Sequence, residues 1–538
     1  MKIFGNIVDI HNRDIYSGVV SISGGRIESI EKYDSTNNSY ILPGLVDSHI
    51  HIESSMVTPG TFAVEAVKYG TVGVVSDPHE IANVCGIEGI NFMIDNASKV
   101  PLKFYFGAPS CVPATIFETS GHLITGDQVK ELLNRTEINY LSEMMNYPGV
   151  INNDKEVFYK IECAKNVDKP IDGHAPGLSG NSLKKYISSG ISTDHECSNI
   201  EEALEKLSLG MKILIREGSA AKNLDNLKEL FNTHPEMVML CSDDLHPEML
   251  IKGHINKLIA KLIKEGYNAF DVIRSATVNP KKHYKLNTGT LKIGDPADLV
   301  IVDSIHEMNV IETWIDGIRV FENERVTFKT DNNLIINKFN CSYINKEQIV
   351  VQNNGANIRI IEAVEGELIT NQIIASSGHN TVVNSNLEKD YLKIIVKDRY
   401  NDMPPAIGFV KGFNLKSGAF ASSVAHDSHN IICVGTSDSA IVDAVNKIVD
   451  LRGGLAVSSD SGLKYLQLNI GGIMSSYSCS ETAMKYDELN KLIISMGCTM
   501  SAPFMTLAFM ALLVIPELKI GDKGLFDVKN FNPVSLFC

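Results

Sequence analysis

The stretch Leu42-Pro-Gly-Leu-Val-Asp-Ser-His-Ile-His-Ile-Glu53 constrains this chain more than any other. Alternate residues of a strand point to one side, so a strand ending here presents His49 and His51 together. The apolar run from Ile41 to Val46, punctuated by Pro43-Gly44, reads as a buried strand, and a parallel barrel keeps its chemistry at the ends of such strands. An isolated His-x-His is equally compatible with two structural histidines, so the rest of the chain decides.

Further along, single His and acidic residues recur where apolar segments stop. Glu143 follows Ile138-Asn-Tyr-Leu-Ser, His174 follows Pro170-Ile-Asp-Gly, His195 follows Gly190-Ile-Ser-Thr-Asp, and Asp243 follows Met237-Val-Met-Leu-Cys-Ser. Successive barrel strands would each deliver one ligand in this way. Imidazole with carboxylate suits zinc, manganese or ferrous iron, whereas calcium wants oxygen only and a structural zinc favours cysteine. The donors are too many for one catalytic ion, so two divalent ions are expected.

The joint presence and order of several blocks carries a resemblance. They are Pro43 to Pro59, Asp77-Pro-His-Glu-Ile-Ala-Asn-Val84, Ser142-Glu-Met-Met-Asn-Tyr-Pro-Gly149, Asp172-Gly-His-Ala-Pro-Gly-Leu-Ser-Gly180, Arg216-Glu-Gly-Ser-Ala220 and Cys241-Ser-Asp-Asp-Leu-His-Pro247. With them the chain resembles the amidohydrolase superfamily, and within it most closely the bacterial adenine deaminase family. The resemblance implies a (β/α)8 TIM-type barrel and deamination of adenine to hypoxanthine and ammonia, by attack of a hydroxide between two metal ions on C6. It implies two divalent ions, manganese first and iron or zinc as alternatives, held by His49, His51, Glu143, His174, His195 and Asp243. Glu143 would bridge them, where many relatives use a modified lysine; read on its own it is also compatible with capping the following turn. Asp243 would accept the hydroxide's proton and pass it to the leaving group.

Other residues are placed less sharply. Glu217 is a candidate to bond or protonate the purine, or to pair with a cation such as Arg216. His79 and Glu80, after Gly70 to Asp77, belong at the mouth of the site, with substrate, metal-side and structural contacts all open. Asp244 and His246 are candidates to orient Asp243, since ligands need oriented partners. Ser110 to Ser120, containing Glu118, reads as a lid loop over the substrate. The His/Glu acid signature of mononuclear deaminases is missing after His174, which leaves the proton donor to the ring unassigned.

At 538 residues the chain exceeds one ordinary domain. Residues 44–284 read as the barrel. Residues 1–43 and 285–340 read as a small β-sandwich: Val19 to Ile30 forms two alternating strands around Gly24-Gly25, and Gly289 to Asp303 gives another turn and strand. Ile255, Leu258, Ile259, Leu262 and Ile263 form a helical stripe stopping at Gly266, with a second helix ending before Pro280. Residues 341–538 read as a separate α+β domain with a helix after Ser437. They resemble the extra domain of adenine deaminases and contain His426 and His429, for which structural, metal, partner and substrate roles stay open.

A net charge of −15 argues against a general nucleic-acid binder. A small substrate, adenine, with water as co-substrate fits better. The ten cysteines have no repeated spacing and no signal segment opens the chain, so a cytoplasmic protein with reduced thiols is expected. Phe504 to Ile515 is too short to cross a bilayer and reads as a core helix. A homo-oligomer, a dimer, is expected. Two other readings compete: a cyclic-amide hydrolase of the dihydropyrimidinase or hydantoinase type, and a non-catalytic scaffold on the same barrel. The first wants a bridging lysine and a basic residue, and the second is opposed by an intact ligand set.

Overall fold

A computed structural model of the chain describes residues 1–34, 36–219, 221–330 and 334–538; Ala220, the last residue of the Arg216 block, lies outside them. Four strands open it: β1 (Lys2–Asp9), β2 (Asp14–Ser23), β3 (Arg26–Lys32) and β4 (Tyr40–Pro43). The β2–β3 hairpin turns at Gly24 and Gly25, whose φ values of 56° and 77° meet the demand of a tight hairpin for positive φ at both central residues.

The apolar run Ile41–Val46 does not form one strand. β4 ends at Pro43 and β5 (Leu45–Ile50) starts after Gly44. A Cβ on Gly44 would lie 2.3 Å from a Val72 methyl, so a residue without a side chain is needed where the chain crosses from the first sheet into the barrel.

β5, β6 (Thr71–Ser76), β7 (Lys103–Ala108), β8 (Ile138–Met144) and β9 (Ile171–Gly173) pair in parallel in chain order. β10 (Thr193–Asp194), β11 (Lys212–Arg216) and β12 (Val238–Cys241) form a second parallel set. The two sets meet on both sides. The Ser192 amide donates to Ile171 O at 3.0 Å, and across the other seam the Asp243 amide donates to His49 O at 2.9 Å. Eight strands therefore close into a (β/α)8 barrel. Below that seam Asp47 accepts from the Ser242 amide at 3.1 Å and lies 2.9 Å from His254 Nε2. Val46, Val75, Tyr140, Leu214 and Met239 fill the interior, so the barrel is a packed core with its chemistry confined to one end.

The stripe from Ile255 forms the helix Ile255–Lys264, with Gly266 beyond it at φ 97°. The next stretch runs differently from expectation. Helix Ala269–Ser275 stops early, and a new helix, Val278–Tyr284, carries Pro280 in its first turn, where a missing N–H leaves no helical bond unmade.

β13 (Leu299–Val302), β14 (Val310–Ile315), β15 (Ile318–Glu322) and β16 (Arg325–Val326) join β1–β4 in one eight-stranded sheet, β13 pairing antiparallel with β4. The C-terminal part is a second sheet: β17 (Asn357–Ala363), β18 (Thr370–Ser376), β19 (Leu392–Lys397), β20 (Ala406–Lys411), β21 (Ala419–Ser422), β22 (Ile431–Gly435), β23 (Gly454–Ser459) and β24 (Gly462–Gln467). Alternation along β19 sends Ile395 to one face and Ile394 and Val396 to the other. Ile395 packs with Ile441, Val445 and Ile448 of helix Asp438–Leu451, whose cap is the Ser437 hydroxyl accepting from the Ala440 amide at 3.4 Å. Ile394 and Val396 belong to a core continuous with Phe62 and Ile81 of the barrel's helical layer. The C-terminal part is thus packed onto the barrel. Of Phe504–Ile515 only the part up to Phe509 is helical, in the helix Pro503–Phe509, and among the described residues no helix is long and apolar enough to cross a membrane.

Candidate metal centre

Every strand that the sequence ends in a donor delivers it to the same end of the barrel. His49 is on β5 and His51 follows it, Glu143 is the penultimate residue of β8, His174 and His195 follow β9 and β10, and Asp243 follows β12. All six are buried, none more than 7% exposed. His49 and His51 bring their Nε2 atoms within 3.2 Å, and both face Asp243 Oδ1, at 3.5 and 3.2 Å. On the other side His174 Nδ1 and His195 Nε2 lie 2.8 and 3.1 Å from Glu143 Oε2. Glu143 Oε1 instead faces His51 Nε2 at 3.5 Å. One carboxylate thus turns each oxygen to a different group of donors.

The local sequence explains this convergence. A Cβ on Gly173 would sit 2.4 Å from the Thr193 carbonyl oxygen, so glycine lets β9 and β10 approach closely enough for His174 and His195 to share one oxygen. The Tyr186 hydroxyl accepts from the His174 amide at 3.0 Å and donates to Met144 O at 2.7 Å. Asp194 accepts from the Ala175 amide at 2.9 Å and pairs with buried Lys206 at 2.6 Å. Asp243 has φ 55°, a left-handed conformation that Asp tolerates better than most residues and that is held here by its bonds to β5. Gly173→Ala is expected to cost about 1–3 kcal/mol, as overpacking does, because the obstacle is backbone. Thermal unfolding checks it, and an unchanged midpoint would show that β10 yields.

The electrostatics mark a site built for cations. Burial opposes charge on Glu143, yet His174 and His195 hold its carboxyl well below the usual range. Burial likewise opposes charge on Asp243, and the Arg216 guanidinium, 2.7 Å from Oδ2, holds it well below. Against the same burial, Glu196 and Glu143 raise His174 to about 9, and Asp243 raises His51 well above the ordinary histidine value. Left to themselves these groups compensate each other by keeping protons on imidazoles. Divalent ions supply the same compensation to neutral imidazoles and ionised carboxylates. The donors carry no thiolate, which suits manganese, iron or zinc.

Of the other candidates, His79 and Glu80 begin the helix His79–Ala97 and line the cavity over the centre. His79 Nδ1 lies 3.1 Å from Asp77. Asp244 also lines the cavity and accepts from Ser54 at 2.6 Å. His246 does not orient Asp243: its ring meets Tyr486 edge-on at 5.0 Å, and burial pushes it down to about 3. Arg216 has that role instead. Glu118 is buried, but its loop is pinned, with the Thr119 amide on Asp522 and Thr119 O accepting from Asn430.

Glu217 is not brought to the centre. Along β11, Leu214 points into the barrel and Ile213 and Ile215 point outward. Arg216 is in phase with Leu214 and Glu217 with Ile215, so alternation alone would have separated them. The sequence reading missed Glu196, which clamps Arg216 at 2.5 and 2.8 Å, and Asp427. The loop between β21 and β22 carries His426 and Asp427 into the cavity wall beside Phe509, Leu512 and Ile515. His426 Nδ1 is 3.2 Å from Glu80, with His429 behind it at 3.7 Å.

Two family models match the chain: the amidohydrolase family over residues 40–320, and the adenine deaminase C-terminal domain over residues 367–532. The adenine deaminase of Methanosarcina barkeri is 50% identical, over 99% of this chain and 98% of its own. Those of Parabacteroides distasonis and Borreliella burgdorferi are each 46% identical, over 100% and 98% of this chain and 99% and 98% of theirs. Among solved structures, a β-aspartyl dipeptidase of Fervidobacterium islandicum covers 62% of this chain and 100% of its own, at 15% identity and a TM-score of 0.48.

Proposed function

The chain belongs to the amidohydrolase family, among its adenine deaminases, and we propose that it hydrolyses adenine at C6 to hypoxanthine and ammonia. The observation that carries the reading is Glu143, one buried carboxylate whose two oxygens face separate donor groups. We assign His49, His51 and Asp243 to one divalent ion and His174 and His195 to a second, with Glu143 shared. When bound, the ions would polarise water, since even one zinc lowers its pKa from about 15.7 to about 7.

The chain's own groups do the rest. Asp243 has its Oδ1 on the His49 and His51 side and its Oδ2 on Arg216, so it is fixed to take the water's proton and pass it on toward the departing nitrogen. Asp244 beside it, raised by burial and by Asp243, is the better resting place for that proton. Leu368, Phe509, Leu512 and Ile515 line the cavity together with the polar His79, Glu80 and Asp427. A planar purine would lie against the apolar side with its nitrogens toward the polar one, and the C-terminal part would keep bulk water out. Arg216, already bonded to Glu196 and Asp243, is not free to receive an acidic cyclic amide.

Manganese-loaded protein given a panel of purines and cyclic amides is expected to release ammonia from adenine. Turnover of a dihydropyrimidine or hydantoin with none of adenine would overturn the reading. Fully active protein is expected to contain two divalent ions per chain, and elemental analysis giving one would remove the binuclear assignment. Manganese is our first choice of metal. We place the protein in the cytoplasm as a homodimer, which fractionation and light scattering test.

A further inference from the structure

Deamination leaves Glu217 unused. This residue lines a second cavity of about 210 Å3 on the far side of the metal-bearing loop: Ser242 and Leu245 line this cavity too, while Asp243 and Asp244 between them line the cavity over the centre. The walls are largely apolar, with Leu224, Leu245 and Met249 among them. Glu217 Oε2 is shielded from solvent and has no hydrogen-bond partner, and burial raises this carboxyl above its ordinary range. Glu217 as a whole is half-buried, and an unpaired carboxylate oxygen beside an apolar recess is suited to fix a ligand's orientation.

The opening adds a second signal. Lys222, Lys252 and Lys257 line the cavity and are exposed; among the described residues their ammonium groups stand in no close ion pair, Lys222 acting on Glu217 and Lys252 on Glu248 only at longer range. Lys261 pairs with Asp225 at 3.0 Å and also pulls the Glu217 carboxyl down against the burial that raises it. Three lysines around one opening make a local positive patch on a chain whose net charge is −15, and such a patch attracts anions. The recess is below the roughly 300 Å3 at which sites for whole drug-sized ligands begin. It therefore admits a ring and leaves any charged substituent at the lysines.

We propose that this cavity is a second ligand site, for a nitrogen heterocycle carrying a phosphate: the ring inside, one of its N–H groups on Glu217, and the phosphate among Lys222, Lys252 and Lys257. Lysine suits the last role as a compact point charge. The proposal is independent of the deamination chemistry, and its failure would leave that reading standing.

The test is calorimetric titration of the metal-loaded full chain with adenosine 5′-monophosphate as probe, in saturating hypoxanthine so that the catalytic cavity is filled. One probe per chain is expected to bind, with adenosine and inorganic phosphate each weaker. Glu217→Leu, and separately the double variant Lys252→Ala with Lys257→Ala, are each expected to weaken binding by at least about tenfold, the loss of one charged contact. The lysine variant should retain full adenine turnover, and this surface change carries no risk to folding. Absence of binding at millimolar probe under saturating hypoxanthine, or inorganic phosphate binding as tightly as the nucleotide, would each overturn the proposal, the last reducing it to a lysine patch.

Discussion

Alanine in place of His49 or His51 is expected to lower adenine turnover by about 10³-fold or more, the upper range for loss of one preorganised electrostatic group. Each imidazole faces Asp243 Oδ1, at 3.5 and 3.2 Å, so either deletion removes a metal donor and one of the two imidazoles beside the proton-accepting carboxylate. The fold should survive. The barrel interior is filled by Val46, Val75, Tyr140 and their neighbours, and the β5–β12 seam is locked lower down by Asp47, Ser242 and His254. His49 is fully buried and stacks on His195 at 4.2 Å, so its loss leaves a small cavity and a modestly lower unfolding temperature. Circular dichroism separates the two effects: a folded variant with near-normal turnover would refute these histidines as ligands.

What the sequence made legible follows from what barrels make local. A donor at a strand's end points into the mouth when its strand phase is inward, so His49, His51, Glu143, His174, His195 and Asp243 are readable as site candidates from residue type and position. Pairings across the sequence were not. Glu196 and Arg216 belong to different strands, and no local pattern says that they meet or that both serve Asp243. Asp427 reaches the cavity because the β21–β22 loop is carried there by a sheet packed on the barrel, and the histidines flanking it drew the attention. Glu217 is the opposite case: its residue chemistry suggests the centre, whereas its strand phase, shared with Ile215, turns it away. Pro280 shows the same weakness at a boundary: proline ends one helix in sequence logic and opens another in the structure, because both termini tolerate it.

Glu143→Gln is expected to release at least one metal ion and reduce turnover by about 100-fold or more. The substitution preserves shape and removes charge, which isolates the electrostatic part of the argument. Two divalent ions about 3.5 Å apart repel by on the order of 20 kcal/mol at an effective dielectric of 20, before any ligand charge is counted. An anion between them offsets that repulsion twice over. Geometry adds a second penalty. Oε1 faces His51 and His79, each at 3.5 Å, and Oε2 faces His174 and His195. Whichever oxygen becomes the amide nitrogen, one group of donors then meets N–H groups where it had lone pairs. Metal content and rate must therefore fall together, and added manganese should restore them only in part. A variant keeping both ions and an ordinary rate would reduce Glu143 to a strand-end residue, and Asp77, 3.1 Å from His79 Nδ1, would be the next carboxylate to test as the bridge.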